Sequence, residues 1–353
     1  MKILLLTRFG QQGASSRMRK LQYLPPLESA EIEYVVSPLF NDEMLLLKYQ
    51  QGGYSLLDVL SAYWRRIWTL LRAHQFDLVW IEKEALPWFP AWFERGLLRR
   101  VPYALDFDDA IFHNYDLHRS AWVRRIYGRR IDCLMAGAHL VIAGNRYLAE
   151  RAIAAGTRRV EVVPTVVDLA RYKAKQVYSV AAKPRIVWIG SPSTVKYLVE
   201  LAGSFSLLAK RQAYTLRVIG GGELTIPGVE VESLPWSEDT EAALIEECDV
   251  GIMPLKDSPW EQGKCGYKLI QYMACGLPTV ASPIGANRDV VIDAETGLFA
   301  DSIHAWVDAL ATLLSDADLR QRFGQAGRAR AETEYSLQQV APRLITLLKK
   351  ATD

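Results

Sequence analysis

The chain has 353 residues, of which 50% are hydrophobic and 23% are charged, and its formal net charge is +2. This is the composition of an ordinary globular protein of about two domains, and the small positive surplus does not by itself indicate nucleic-acid binding. The four cysteines lie far apart without metal-ligand spacing, the first ten residues do not resemble a signal peptide, and no run of 18 apolar residues occurs, so we expect a cytoplasmic protein with free thiols.

The first half of the chain predicts a parallel α/β domain. Uninterrupted apolar runs alternate with helical patterns, which is typical of a parallel sheet covered by helices on both faces. After the first strand, the pattern predicts one helix from about Ser16 to Glu28. The predicted strands are Ile3 to Thr7, IEYVVS, FDLVWIE, VPYALDFDD, HLVIAG and VEVVPT.

The second half repeats this alternation after residues 168–184, which lose the regularity and indicate a linker. Its predicted strands are RIVWIGSP, LRVIGGG, VEVESL, DVGIMPL, PTVASP and GLFA, and the tail from about His304 to Lys350 predicts amphipathic helices. We therefore predict an α/β fold of two Rossmann-like parallel-sheet domains facing a cleft. The predicted domains are residues 1–167, joined by a C-terminal helix at about 336–353, and residues 168–335.

The segment CGYKLIQYMACGLPTVAS, residues 265–282, carries the most informative pattern. It predicts a helix from Gly266 to Cys275 that stops at Gly276. Two cations near a helix N-terminus oppose the helix dipole by about 0.3–1 kcal/mol each, whereas a diphosphate bound there would make them favourable. The alternative is a pair of solvated lysines on an amphipathic helix. The residues that share one face in this register are Lys264, Lys268, Gln271 and Cys275.

The order and spacing of these segments resemble the retaining nucleotide-sugar glycosyltransferases of family 4, also described as glycosyl transferases group 1, which have the GT-B fold. The resemblance extends over about residues 1–350 and is most specific from 138 to 300, above all in YMACGLPTVAS and VVPTVVD. Members of that family move a sugar from a nucleoside diphosphate to an acceptor with retention of anomeric configuration and without needing a metal. The resemblance thus implies a nucleoside-diphosphate sugar as donor, no cofactor, and a glycan or lipid-linked acceptor in polysaccharide or glycolipid synthesis.

The donor-site residues of the family carry over only in part. Two glutamates of the family, with seven residues between them, fall on Gly263 and Gln271. Gln271 can still hydrogen-bond a ribose diol, but Gly263 cannot replace a carboxylate. The family's phosphate-binding arginine and lysine fall on Ser191 and Lys196, so the arginine is absent, and Lys264 or Lys268 is expected to supply the missing charge. The predicted donor-binding residues are Gly13, Ala14, Ser191, Lys196, Lys264, Gly266, Tyr267 and Gln271, and Lys268 is a predicted catalytic residue.

The loop RFGQQGASSRMR follows the first strand. By resemblance, Gly13 and Ala14 match small residues whose backbone approaches the donor phosphates or the acceptor. Arg17 and Arg19 open the next helix, where they either bind a phosphate of the donor or the acceptor or are solvated, and we predict them as acceptor-binding residues.

The segment YALDFDDAIFHNYD places three acids after an apolar strand, which is costly unless they are paired or functional. A metal site is one interpretation, but the surrounding pattern disfavours it. The resemblance implies that Asp108 orients the acceptor hydroxyl or stabilises positive charge on the sugar, and that Asp109 is a base or an ion-pair partner. A helix cap with a salt bridge is the alternative. His113 is predicted to be structural or to lie on the acceptor side.

Tryptophan and arginine are concentrated in the first half, where six of the ten tryptophans occur before residue 123. Interleaved aromatic and basic residues suit contact with anionic lipid headgroups, and buried tryptophans with solvated arginines are an equal alternative. The first interpretation predicts a peripheral membrane protein at the inner face of the cytoplasmic membrane.

We therefore predict a retaining glycosyltransferase. An epimerase or hydrolase could use the same donor site without an acceptor, and the missing glutamate at Gly263 leaves room for a non-catalytic, membrane-docked nucleotide-sugar-binding protein.

Overall fold

The computed structural model describes residues 1–179 and 183–352, so residues 180–182 of the predicted linker lie outside the described residues. The chain forms two compact units. Unit 1 comprises Met1–Thr165, Gly263–Cys265 and Val340–Asp353, and unit 2 comprises Val166–Gln262 and Gly266–Gln339. These bounds differ from the predicted domains by a few residues at each boundary and by the three residues Gly263–Cys265.

Unit 1 is built on a six-stranded parallel sheet in the order β2-β1-β3-β4-β5-β6. The central strands β3, β4 and β5 are buried along their whole length, as their uninterrupted apolar sequences require. Its strands are β1 (Lys2–Thr7), β2 (Glu33–Pro38), β3 (Leu78–Glu82), β4 (Tyr103–Phe107), β5 (Leu140–Ala143) and β6 (Val160–Val162). Its helices in the first part of the chain are α1 (Ala14–Arg19), α2 (Leu24–Ser29), α3 (Asp42–Gln51), α4 (Leu56–Leu71), α5 (Ala91–Leu98), α6 (His113–Asp116), α7 (Ala121–Tyr127), α8 (Arg130–Gly137) and α9 (Arg146–Ala154).

Unit 2 has a second six-stranded parallel sheet, in the order β12-β11-β10-β7-β8-β9. Its strands are β7 (Arg185–Ile189), β8 (Thr215–Ile219), β9 (Glu230–Leu234), β10 (Val250–Met253), β11 (Thr279–Ala281) and β12 (Gly297–Phe299). Its helices are α10 (Lys196–Glu200), α11 (Ala202–Arg211), α12 (Glu241–Glu246), α13 (Pro259–Gln262), α14 (Tyr267–Ala274), α15 (Asn287–Val290), α16 (Ile303–Ser315) and α17 (Ala317–Glu334), and the chain closes with α18 (Leu337–Lys349). Each predicted apolar run of both halves thus contains a strand of one of the two sheets.

The helix predicted from Ser16 to Glu28 is divided into α1, a 3₁₀ turn at Leu21–Tyr23 and α2. The prolines at 25 and 26 explain the division, because proline has no backbone N–H and is favoured in the first turn of a helix over its interior. Both prolines lie at the start of α2. Arg19 at the end of α1 and Lys20, which follows it, are both buried.

Candidate active site

In unit 1, the strand order reverses between β1 and β3. Loops that follow the carboxyl ends of strands at such a reversal form the usual ligand crevice of open parallel sheets. The segments after β1, β3 and β4 contribute Ser15, Lys83, Asp108 and Asp109 to one cluster there. We refer to these four residues as the Lys83 cluster.

The Lys83 cluster is a compact set of charges. Lys83 Nζ lies 2.9 Å from Asp108 Oδ1 and 2.8 Å from Asp109 Oδ2, and it donates to Ser15 Oγ at 3.2 Å. Ser15 Oγ in turn donates to Asp108 Oδ2 at 2.6 Å. The side chains of Lys83, Asp108 and Asp109 are 6%, 16% and 19% exposed, so water screens the pairs only weakly.

This pairing fixes the charges of the cluster. Burial alone would lower the pKa of the Lys83 ammonium, but Asp108, Asp109 and Glu82 together raise it above its usual value. Burial alone would raise the pKa of Asp108, but Lys83 and the hydrogen bond from Ser15 hold it below its usual value. Asp108 is therefore a carboxylate at neutral pH, and it can accept a hydrogen bond from a substrate hydroxyl.

The backbone at Lys83 is in the left-handed region, with φ of +62°. A non-glycine residue there costs of order 1–3 kcal/mol and persists only where the surrounding structure enforces it. The ion pairs of Lys83 with the two aspartates supply that restraint. Strain of this kind concentrates at functional sites, which agrees with the position of Lys83 at the sheet reversal.

Asp106 has partners of its own inside unit 1. Arg19 donates to Asp106 Oδ1 from Nε at 2.9 Å and from Nη2 at 2.6 Å, and Lys20 donates to Asp106 Oδ2 at 3.1 Å. Arg19 also donates to the backbone oxygen of Val163 at 2.8 Å. Because Arg19 is buried and occupied by these contacts, it stabilises the core here, which differs from its predicted role on the acceptor side.

Lys20 provides a pH-dependent test of this core. Burial lowers the pKa of the Lys20 ammonium to about 7, although Asp106 acts in the opposite direction. Since an unfolded lysine has a pKa of about 10.4, the unfolded chain binds more protons than the folded chain between these values, so stability falls as the pH falls towards 7. We expect the wild type to lose about 1–3 kcal/mol of unfolding free energy between pH 9 and pH 7 that Lys20→Met does not lose. Urea unfolding of both proteins at the two pH values checks this, and equal pH dependence would contradict it.

The other unit 1 residues of the predicted site have mixed surroundings. Arg17 is buried and donates from Nη1 to the backbone oxygen of Gln11 at 2.9 Å, so it helps to order the loop after β1. Gly13 caps α1, and a Cβ there would lie 2.4 Å from Cβ of Phe9, whereas Ala14 is exposed. His113 Nδ1 lies 2.8 Å from Asp116 Oδ1, and its Nε2 lies 2.8 Å from the hydroxyl of Tyr147.

The short segment Gly263–Cys265 belongs to unit 1 although its neighbours in sequence belong to unit 2. Cys265 Sγ donates to the backbone oxygen of Asp108 at 3.1 Å, and the backbone oxygen of Lys264 accepts from Asn145 Nδ2 at 2.9 Å. A Cβ on Gly263 would lie 2.5 Å from Cβ of Ala110 and 2.6 Å from its backbone nitrogen. The structure therefore has no room at 263 for the glutamate of the family.

This placement corrects the predicted position of Lys264. The helix α14 begins at Tyr267, after Gly266 with φ of +68°, so residues before 266 do not continue its register. Lys264 therefore does not share a helix face with Lys268. The predicted helical spacing from Lys264 to Lys268 is wrong because the left-handed backbone of Gly266 interrupts it.

In unit 2, the strand order reverses between β7 and β10, and α14 packs across this point. Tyr272 of α14 accepts from the backbone N–H of Ile189 at 3.1 Å and donates to the backbone oxygen of Ile252 at 3.3 Å, so its hydroxyl is bonded to both strands. A Cβ on Gly251 would lie 2.3 Å from the Tyr272 ring, which explains why glycine stands there. These contacts hold α14 against β7 and β10 at the reversal of the sheet.

Lys268 lies in the first turn of α14, and its Nζ is 5.0 Å from the ring centre of Trp188 in β7. The loop after β7 begins two residues after Trp188. Ser191 in that loop is exposed, and its Oγ lies 2.9 Å from Ser193 Oγ. Lys196 is exposed and lies over the ring of Tyr197 at 5.0 Å. Lys268 thus brings a cation to a helix N-terminus at the reversal of the sheet, which is an arrangement suited to an anion.

Gln271 belongs to a buried polar network rather than to an exposed face. Its Nε2 donates to the hydroxyl of Tyr172 at 2.9 Å, and that hydroxyl donates to Glu241 Oε1 at 2.8 Å. Trp236 Nε1 donates to Glu241 Oε2 at 2.6 Å, and Tyr267 is hydrogen-bonded to Tyr172. Gln271 is 2% exposed, so this network fixes the orientation of its side chain.

Glu261, two residues before Gly263, is the nearest preceding carboxylate in the sequence. Its carboxylate accepts from the hydroxyls of Tyr197 and Ser258, and it is buried. Burial acts to raise the pKa of Glu261, but these two hydrogen bonds, a backbone hydrogen bond and the charge of Lys196 together lower it.

Two site residues, Lys83 and Ser15, are absent from the sequence predictions. Lys83 directly follows β3. A lysine at the carboxyl end of a buried strand is the sequence feature that could have indicated its place in the site. Within residues 1–179 and 183–352, no group of three or more His, Cys, Asp or Glu side chains is arranged to hold a metal ion. In the same part of the chain, no helix combines the length and the apolar character needed to cross a bilayer.

Two family profiles match the chain. The profile described as Glycosyl transferase 4-like domain matches residues 12–165, and the profile described as Glycosyl transferases group 1 matches residues 183–316. The two matches follow one another along the chain and cover most of both units.

Curated proteins with similar sequences include two D-inositol 3-phosphate glycosyltransferases. The enzyme of Corynebacterium glutamicum is 39% identical over 88 residues, which are 24% of this chain and 21% of that protein. The enzyme of Pseudarthrobacter chlorophenolicus is 27% identical over 199 residues, which are 49% of this chain and 46% of that protein. The chain therefore spans less than half the length of these relatives.

A solved structure with a similar fold is that of the HepE protein of Anabaena in complex with UDP and glucose. Its TM-score is 0.73 at 18% identity, and the match covers 99% of this chain and 100% of that chain. At this identity the likeness concerns the fold alone. It confirms the predicted α/β architecture of two Rossmann-like parallel-sheet units.

Proposed function

Because the chain belongs to the GT-B glycosyltransferases of the group 1, family 4 type, we propose that it transfers a sugar from a nucleoside-diphosphate sugar to a hydroxyl group with retention of anomeric configuration. The observation that carries this proposal is the N-terminus of α14, where Lys268 stands at the reversal of the unit 2 sheet. The family's phosphate-binding arginine is replaced by Ser191, so a cation is needed from elsewhere, and Lys268 meets that need. The UDP bound to HepE supports a uridine nucleotide as the first donor to test.

In the proposed mechanism, the diphosphate lies against the N-terminus of α14. Negative charge grows on the diphosphate as the bond to the sugar breaks, and a cation placed beforehand stabilises that charge. Gln271, held by Tyr172, contacts the ribose hydroxyls. The leaving diphosphate stays on the same face of the sugar and takes the acceptor proton, so the protein supplies positioning and charge rather than a nucleophile.

We assign the acceptor to unit 1, beside the Lys83 cluster. Asp108 stays ionised next to Lys83 and accepts a hydrogen bond from the attacking hydroxyl, while Asp109 keeps the Lys83 ammonium in place. The acceptor class that we propose is a glycan or a lipid-linked glycan, in polysaccharide or glycolipid synthesis in the cytoplasm. We include no metal ion and no other cofactor in this mechanism.

A thermal-shift panel of nucleoside diphosphates and their sugars tests the donor site. We expect at least one of them to stabilise the wild type by several degrees, and we expect Lys268→Ala to lose most of that shift because the diphosphate loses its cation. Lys210→Ala changes an exposed lysine of α11 in the same unit and is the matched control. The proposal fails if no nucleotide shifts the wild type, or if Lys268→Ala responds as Lys210→Ala does.

The acceptor and the stereochemistry need a second measurement. Nucleoside diphosphate released only when acceptor is present identifies a transferase, whereas release without acceptor would indicate a hydrolase or an epimerase. The anomeric configuration of the product, read from its proton NMR couplings, decides between retention and inversion.

A further inference from the structure

Helix α4 presents an apolar stripe to solvent. The members of the stripe are spaced by three and four residues, so they lie on one face of the helix. Their exposed fractions lie between 49% and 77%, whereas Ala62, Arg66 and Leu70 on the opposite face are buried. A contiguous patch of large apolar side chains of this kind marks an interaction site. The stripe consists of Leu57, Leu60, Trp64, Trp68 and Leu71.

A chain of aromatic contacts beside the stripe connects α4 with α5. The ring of Tyr63 in α4 stacks on Phe89 at 5.5 Å, and Phe89 lies 5.6 Å from Phe93. Phe93 lies 5.9 Å from Trp92, which is 74% exposed. We call the stripe together with Trp92 the docking surface.

The surroundings of the docking surface are positively charged. Residues 56–72 and 91–100 contain two acidic side chains. Asp58 is exposed, whereas Glu94 is buried and forms an ion pair with Arg130 at 2.6 Å. The guanidinium carbon of Arg72 lies 4.5 Å from the ring centre of Trp68, so charge and apolar surface alternate closely. The exposed arginines of the two segments are Arg65, Arg72, Arg95, Arg99 and Arg100.

Three of these arginines share a cavity beside Trp92. Arg95, Arg99 and Arg100 line a space of about 600 Å³, together with Trp92 and His139. None of the three guanidinium groups forms an ion pair with a carboxylate within the described residues. A cavity with clustered, uncompensated guanidinium groups suits a phosphate group, which arginine binds with several donors at once.

We propose that the docking surface binds a membrane rich in anionic lipids. Helix α4 lies in the plane of the interface, its leucines and tryptophans enter the boundary of the acyl chains, and the arginines remain at the level of the lipid phosphates. A second copy of this chain is a poorer occupant, because a symmetric contact would place the same arginines against each other. This inference does not depend on the sugar transfer proposed above.

Co-sedimentation with vesicles tests the docking surface. We expect the wild type to bind vesicles of phosphatidylcholine with about one third phosphatidylglycerol at least about tenfold more tightly than vesicles of phosphatidylcholine alone. We expect the triple variant Leu60→Ser, Trp64→Ser, Trp68→Ser to lose about tenfold or more of that affinity. Ile153→Ser with Val162→Ser removes exposed apolar groups elsewhere in unit 1 and is the matched control, which should bind as the wild type does. Circular dichroism verifies that each variant is folded.

Two further experiments distinguish binding to lipid phosphates from binding to a free phosphorylated ligand. Arg95→Gln with Arg99→Gln and Arg100→Gln should reduce binding to the anionic vesicles towards the level seen with neutral vesicles. Free inorganic phosphate at millimolar concentration should not displace the protein from anionic vesicles, and displacement would assign the cavity to a free phosphorylated ligand instead.

The proposal is overturned if the wild type ignores anionic vesicles or if the triple variant binds as the control does. Light scattering that shows a wild-type dimer and a monomeric triple variant would assign the surface to a second copy and would also overturn it. Transfer to a soluble acceptor is measured on the same proteins. Its absence in the wild type would count against the proposed function and not against membrane docking.

Discussion

The Lys83→Met variant is expected to unfold about 3–5 kcal/mol more easily than the wild type at neutral pH and to lose transfer activity by about two orders of magnitude. The substitution removes the cation that Asp108 and Asp109 share, and it leaves two mostly buried carboxylates facing each other. Breaking a buried ion pair from one side is costly, because the remaining charge keeps its desolvation penalty without its partner. The activity falls because Asp108 loses both its position and its fixed charge.

The pH dependence of this variant provides the decisive measurement. In the wild type, the lowered pKa of Asp108 contributes stability above its unfolded pKa, and that contribution is lost only as the pH falls through the lower folded value. Without Lys83, the pKa of Asp108 rises above its unfolded value, so the penalty is present at pH 7 and shrinks as the pH falls towards 4. Urea unfolding at pH 7 and at pH 5 should therefore show a smaller difference between the two proteins at pH 5.

The double variant Lys83→Met with Asp108→Asn is the control for this interpretation. It removes one of the two buried carboxylates that have lost their partner cation, so it should recover part of the lost stability but not the activity. Equal unfolding midpoints of Lys83→Met and wild type at pH 7 would show that the cluster contributes nothing to the fold.

The Gly263→Glu variant is expected to lose activity and stability rather than to regain the residue that the family usually has. A Cβ at 263 would lie 2.5 Å from Cβ of Ala110 and 2.6 Å from its nitrogen, closer than real Cβ atoms approach. The backbone at Ala110 would have to move, and it directly follows Asp109 of the Lys83 cluster. Overpacking of this kind costs about 1–3 kcal/mol.

Gly203→Glu is the matched control for this change. Gly203 lies in α11, and no atom stands within 4 Å of a Cβ built there, so the same substitution should leave the melting temperature unchanged or raise it slightly. Melting temperatures and transfer rates of both variants check the prediction. A Gly263→Glu protein that melts with the wild type and transfers sugar faster would show that the site accepts a glutamate after all.

Local sequence patterns predicted the two sheets because buried parallel strands are apolar along their whole length. RIVWI, VGIM and LVWIE each stand out from the helices beside them, and each forms a strand. The stop of α14 at Gly276 followed from the same kind of local evidence, and Gly276 has φ of +73°. The resemblance to the glycosyltransferase family extended this to the order of the elements.

Periodicity was a poorer guide at the ends of elements. The register that placed Lys264 beside Lys268 assumed helical backbone through residue 266, and the left-handed conformation of Gly266 breaks it. The burial of charged residues was not predicted either, because the sequence left Arg17 and Arg19 as phosphate ligands or solvated charges, and both lie buried inside unit 1. The tryptophans of α4 and α5 are exposed, although an apolar residue in a helical pattern is ordinarily assigned to the core.

The fold class, the family and the position of the helix that we assign to the donor could be predicted from the sequence, since each depends on residues close together along the chain. The Lys83 cluster could not be predicted, because it depends on how the strands are arranged in the sheet. Ser15, Lys83 and Asp108 follow three different strands. Ser15 is hydrogen-bonded to Lys83, which lies 68 residues away along the chain, and to Asp108, which lies 93 residues away. The strand order of a sheet brings such residues together, and no local pattern records that order. The same holds at residue 263, where the close approach of Ala110 makes glycine the residue that fits.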